Sequence, residues 1–170
     1  MDKPIIKRKT NRVPGFNYSQ NGMYFVTICS NSHKYLYWKC DPTIVGDGVY
    51  DVPEIILSPI GKIIEKYIEL MNNKYPYISV DKYVIMPNHI HLLISIEHEH
   101  GLSQAPTPTN NIIPKFISLL KRYCNREAGI NIWQRSYYEH IIRNEKDYLI
   151  HWEYIENNPI KWETDDYFIK

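Results

Sequence analysis

A chain of 170 residues with 44% hydrophobic content and a formal net charge of +1 suits one domain with a real core, leaves little room for a second, and excludes a disordered protein. The near-neutral balance excludes a globally basic nucleic-acid binder, yet Lys3, Lys7, Arg8, Lys9 and Arg12 cluster near the start, and Lys115, Lys121, Arg122 and Arg126 form a second basic group able to track phosphates. Cys29, Cys40 and Cys124 are too few and scattered for a disulfide framework or zinc ribbon, so reduced thiols in a cytoplasmic protein are expected, with no membrane span and no signal peptide.

Residues 1–22 read as a basic extended arm, with Pro14, Gly15 and Asn21-Gly22 as turn signals. Met23 to Cys29 is rich in β-branched and aromatic residues and predicts a strand. Residues 30–57 are broken by Pro42, Gly46, Gly48 and Pro53. Short strands fit there, and the role of residues 33–57 stays open. Ser58-Pro59 then opens a helix as N-cap and first helical residue. Ile60, Ile63, Ile64, Tyr67, Ile68 and Met71 make one apolar helical face, and Asn72-Asn73 with Pro76 are expected to stop it.

Two strands follow, near Ser79–Met86 and His89–Glu97, joined at Pro87-Asn88. Residues 98–110 hold Gly101, Pro106 and Pro108 and read as a loop. A second helix is expected from about Asn111 to Glu127, with Ile113, Phe116, Ile117, Leu120, Tyr123 and Cys124 on one side. Tyr137 to Arg143 reads as a strand, and Asn144 caps a last helix over 144–158 that ends at Pro159. The order β-α-β-β-α-β-α predicts an α+β fold. Its ferredoxin-like antiparallel sheet has two helices on one face and an appended C-terminal helix.

Two features could carry chemistry. In Met86-Pro87-Asn88-His89-Ile90-His91-Leu92-Leu93, strand alternation sends Ile90, Leu92, Ile94 and Ile96 to the core and turns His89 and His91 together to the other face. Two parallel imidazoles can chelate one metal ion, though a pair of surface histidines on an amphipathic strand fits the same pattern. On the last helix Tyr148, Trp152 and Ile155 should pack on the sheet. Tyr154 and Asn158, four apart, share a flank with Asp147 and His151. The helix could present a phenol and an amide oxygen to a common point. With 15 tyrosines in the chain, a core-edge Tyr154 and a capping Asn158 explain that flank equally well.

The motifs Met86-Pro87-Asn88-His89-Ile90-His91-Leu92-Leu93, then Trp133 to Arg143 (WQRSYYEHIIR), then Tyr154 to Lys161 (YIENNPIK) occur in this order. With the opening Gly15 to Cys29 (GFNYSQNGMYFVTIC), they resemble the REP-associated tyrosine transposases, a branch of the single-tyrosine HUH transposases. The resemblance implies that His89 and His91 bind a divalent metal, that Tyr154 is the nucleophile, and that Asn158 takes the third-ligand place. No catalytic part is assigned to Glu139 or His140, which hold strand and helix together on this reading.

A hard cation, Mg²⁺ or Mn²⁺, takes about six ligands, so two histidines and an amide oxygen leave about three positions for water and a scissile phosphate. Tyr154 would attack that phosphate, leaving a 5′-phosphotyrosine and a free 3′-hydroxyl; His151 is a candidate acceptor of the phenol proton, with packing as its favoured alternative role. One phosphodiester is exchanged for another ester, so no nucleotide cofactor is expected. The implied partner is single-stranded or hairpin DNA, with Lys7, Arg8, Lys9, Arg12, Lys115 and Arg122 as candidate DNA contacts. Two rivals are a non-catalytic single-stranded nucleic-acid-binding module and a metal-dependent hydrolytic nuclease. Each predicts that Tyr154→Phe is tolerated. The target sequence, continued mobility or domestication, and the choice between monomer and homodimer are not legible in the residues.

Overall fold

The computed structural model describes residues 21–39, 55–97 and 112–168. The expected basic arm over 1–22, apart from Asn21 and Gly22, and the loop over 98–110 lie outside them. So do Lys7, Arg8, Lys9 and Arg12. The elements are β1 (Gly22–Cys29), α1 (Pro59–Lys74), β2 (Ile78–Ile85), β3 (His89–Ile96), α2 (Ile112–Ala128), β4 (Tyr138–Ile142) and α3 (Glu145–Asn157). Short 3₁₀ turns lie at Asn31–His33 and Trp162–Thr164. The strands form one antiparallel sheet in the order β2-β3-β1-β4. This is the α+β, split-βαβ arrangement the element order predicts.

Local chemistry accounts for the boundaries. The Ser58 hydroxyl accepts from the Gly61 amide at 3.0 Å and donates to the Leu36 carbonyl at 2.6 Å, so one side chain starts α1 and ties it to the preceding segment. That segment passes so close that a Cβ on Gly61 would come within 2.2 Å of the Tyr37 carbonyl oxygen. At its other end α1 runs one residue past Asn73 and stops before Pro76, as expected. Asn72 is not a cap: its Oδ1 accepts from the Val80 amide at 2.7 Å, joining α1 to β2. In residues 33–57 the described portion contributes a single bridge, Trp38 to Leu57, and the Trp38 indole donates to the Ile85 carbonyl at 2.6 Å.

The sheet has two covered faces. Tyr24, Val26 and Ile28 of β1 and Ile90, Leu92, Ile94 and Ile96 of β3 share one core with Ile64, Ile68 and Met71 of α1 and Phe116, Ile117 and Leu120 of α2. The alternate residues Phe25, Thr27, His89 and His91 face the other way, towards α3. A register shift between Val80 and Lys82 marks a bulge in β2. Beyond it Lys82 turns to α3, its ammonium 4.2 Å from the Trp152 ring centroid and 3.3 Å from Glu156. Among the described residues no helix is long and apolar enough to cross a membrane.

Candidate functional site

The centre of the α3 face is the histidine pair. Antiparallel register sets Thr27 opposite His91 and Cys29 opposite His89. The Asn88 amide nitrogen donates to the Tyr167 carbonyl at 2.7 Å, so its oxygen is what faces His89 Nδ1 at 2.9 Å. That assigns the Nδ1 proton to His89 and leaves its Nε2 with a lone pair. Thr27 Oγ1 lies 2.8 Å from His91 Nδ1, and the two Nε2 atoms face each other at 2.9 Å. Two ligands at right angles about 2.1 Å from an ion sit about 3.0 Å apart, so the spacing suits one cation.

Burial favours the neutral form of both rings. Burial, with a contribution from the nearby His33, lowers the His89 pKa to about 3. Burial and the proximity of His89 hold His91 well below the ordinary histidine range. Neutral imidazole is the form that ligates a metal, and each ring already has an outer partner to orient it.

Tyr154 reaches this pair from α3. Its ring centroid lies 5.1 Å from that of His91 and 5.9 Å from that of Phe25, both edge-on, while the residue stays 41% exposed. Burial of the hydroxyl end and the charge of Asp165 push the phenol up to about 12. Its hydroxyl donates to Asp165 Oδ2 at 3.3 Å. Asn158 is buried one turn further along, with its amide nitrogen donating to the same oxygen at 3.0 Å and its Oδ1 buried without a hydrogen-bond partner. The metal-binding atoms of His89, His91 and Asp165 all lie within 4.8 Å of one another. Tyr167 and Trp162 close the site, with ring centroids 4.6 Å and 6.0 Å from His89, so both histidines are almost fully covered.

The structure therefore brings together His89, His91 and Tyr154, with Asn158 beside them. His151 packs: its ring turns Nδ1 to the Asp147 carbonyl at 2.8 Å and stacks on His140 at 4.9 Å, while the phenol's hydrogen bond goes to Asp165. His140 joins β4 to α3 through Asp147 at 3.0 Å. Lys115 and Arg122 are exposed on α2, which packs with α1 against the opposite face of the sheet. Sequence reasoning missed Asp165, because the 3₁₀ turn that aims it follows no helical or strand period. It also missed Thr27, whose cross-strand place depends on register.

Comparison with known proteins gives relatives at two depths. No family model matches. An uncharacterized protein of Haemophilus influenzae is 32% identical over 181 aligned positions that take in 97% of this chain and 95% of that one. The REP-associated tyrosine transposase of Escherichia coli is 29% identical over 82 residues, 48% of this chain and 44% of its own length. The chain thus matches less than half of that named relative. Among solved structures, a REP-associated tyrosine transposase bound to a REP hairpin aligns with a TM-score of 0.57 and 22% identity, over 83% of this chain and 68% of the other. That likeness shows the fold.

Proposed function

We propose that this chain, which is similar to REP-associated tyrosine transposases over about half of its length, is a transposase of that kind that cleaves single-stranded or hairpin DNA and transfers the strand through a 5′-phosphotyrosine. The observation that carries this reading is the convergence of Tyr154 on the His89–His91 pair within one chain. A divalent ion held there would supply Lewis-acid charge to the scissile phosphate. The chain's own residues supply the rest.

Tyr154 Oη attacks phosphorus, the P–O bond to the 3′ oxygen breaks, and a 3′-hydroxyl leaves while the 5′ end stays on the protein. A second 3′-hydroxyl reverses the exchange and releases the phenol. The ester count is conserved, so no nucleotide need be spent. A phenol held near 12 is a weak nucleophile at neutral pH. Its hydrogen bond to Asp165 gives the proton an acceptor already in line. Because phenol and imidazoles belong to one chain, a monomer contains the whole constellation. Phosphate contacts fall to Lys7, Arg8, Lys9 and Arg12. Lys115 and Arg122, across the sheet, serve only a DNA stem long enough to reach around it.

The test uses Mn²⁺ and hairpin oligonucleotides with single-stranded flanks, read as a denaturation-resistant protein–DNA adduct. Wild type should form the adduct, and Tyr154→Phe should lower its formation by about a thousandfold or more. A 5′-phosphate product released without any adduct, unchanged in Tyr154→Phe, would point to water as the nucleophile and end the proposal.

A further inference from the structure

We propose that Asp165 is the oxygen ligand of the ion held by His89 and His91, and that Asn158 serves to position it. This rests on the reading that the histidine pair binds a divalent cation. Two neutral imidazoles alone make a poor site for a hard cation, which prefers oxygen and above all anionic oxygen. Within the described residues, Asp165 is the carboxylate whose oxygen lies within 4.8 Å of a donor nitrogen on each histidine.

Its approach is built rather than incidental. The Asp165 amide donates to the Trp162 carbonyl at 3.1 Å, closing the 3₁₀ turn, and its Oδ1 accepts from the Tyr167 amide at 2.7 Å. With one oxygen anchored to the backbone, Oδ2 is aimed inward at the Tyr154 hydroxyl and the Asn158 amide nitrogen. Ligating carboxylates are typically held by such outer hydrogen bonds.

Asn158 supplies the independent observation. A carboxylate oxygen only accepts, so Asn158 must present nitrogen to Asp165, and its own oxygen is left buried with no partner. Buried amide oxygens are rarely orphaned, so this amide leaves its own oxygen unmatched in order to hold the Asp165 carboxylate in place. The amide therefore acts through Asp165. The same carboxylate also meets the nucleophile, so the histidine pair, the phenol and the 162–168 segment come together at one residue. Binding of the ion should fasten that segment to the sheet.

The test is Mn²⁺ titration of the full chain by calorimetry, paired with hydrogen exchange across residues 162–168. Asp165→Asn should weaken Mn²⁺ binding at least about tenfold and abolish Mn²⁺-induced protection of the segment, and Asn158→Ala should weaken binding less. Asp165→Glu, which keeps the charge, should recover part of the affinity and guards against a folding artefact in the amide variant. Wild-type affinity in Asp165→Asn, with binding lost in His91→Ala, would overturn this assignment and leave the histidine site standing. A larger loss in Asn158→Ala than in Asp165→Asn would overturn it in favour of the amide. Equal binding by wild type and His91→Ala would instead overturn the reading of the histidine pair.

Discussion

Two clusters of identical make-up sit on the α3 face: His89, His91 and Asp165 at the strand centre, and His140, Asp147 and His151 between β4 and α3. In the second, both carboxylate oxygens are engaged. Asp147 Oδ2 accepts from His140 Nε2 at 3.0 Å and from the Arg143 amide at 3.1 Å, while Oδ1 lies 3.2 Å from His151 Nδ1. In the first, two Nε2 atoms point at each other and a neighbouring amide oxygen is unmatched. Residue type is thus not what makes a metal site. Imidazole nitrogens that converge and meet only each other make the better candidate, whereas a triad tied together through its carboxylate must break those bonds before it can hold an ion.

The largest effect should come from cutting each cluster in turn. His91→Ala should weaken Mn²⁺ binding by about a hundredfold or more, because an ion loses a ligand and gains only water. Asp147→Asn should leave the Mn²⁺ affinity within about twofold, since its carboxylate belongs to a closed hydrogen-bond network. Calorimetry on both variants checks the pair, and equal losses would erase the distinction between the clusters.

A subtler cut tests orientation. One proton lies between the two Nε2 atoms in the ion-free protein, and on that assignment the Thr27 hydroxyl donates to His91 Nδ1. When an ion takes both Nε2 lone pairs, His91 must carry its proton on Nδ1, and the same hydroxyl can rotate to accept it. Thr27→Val keeps the shape and removes that partner. A Mn²⁺ affinity about tenfold lower is expected, against no change for Ser30→Ala, whose hydroxyl serves the Lys34 carbonyl instead. An unaltered affinity in Thr27→Val would mean that strand packing alone holds the ring.

How much of this was legible in the residues follows from periodicity. Strand alternation placed His89 and His91 on the face opposite Ile90, Leu92 and Ile94, and Ser58-Pro59 and Asn144 marked two helix starts with their side chains. The sequence resemblance singled out Tyr154 among many tyrosines. The burial of the histidines was not legible, because it comes from Trp162 and Tyr167 in a segment with no period. Nor was the role of Asp165, since Asp165-Asp166 reads as an ordinary solvated acidic pair until a 3₁₀ turn aims one member inward. The pairing of His151 with His140 was hidden for another reason. Helical spacing put His151 and Tyr154 on one flank, but His140 comes from a strand.

The smallest expected effect concerns the satisfied cluster, where the cost should fall on stability. Burial pushes the Asp147 carboxyl up, but the hydrogen bonds from His140 and the Arg143 amide outweigh it and leave the group below its ordinary value. A carboxyl depressed in the folded state contributes stability that is present above its unfolded value, about 3.9, and is lost as pH falls through the lower folded value. His140→Ala removes one of those bonds. At neutral pH it should cost about 1 kcal/mol, a charge-assisted bond discounted for partial solvent exposure. Below about pH 4 the gap to wild type should narrow, because protonated Asp147 no longer gains from the imidazole. Urea unfolding at pH 7 and pH 3 reads both. A gap that widens in acid would mean that His140 stabilises the β4–α3 junction through packing on His151, and that the ion pair contributes nothing.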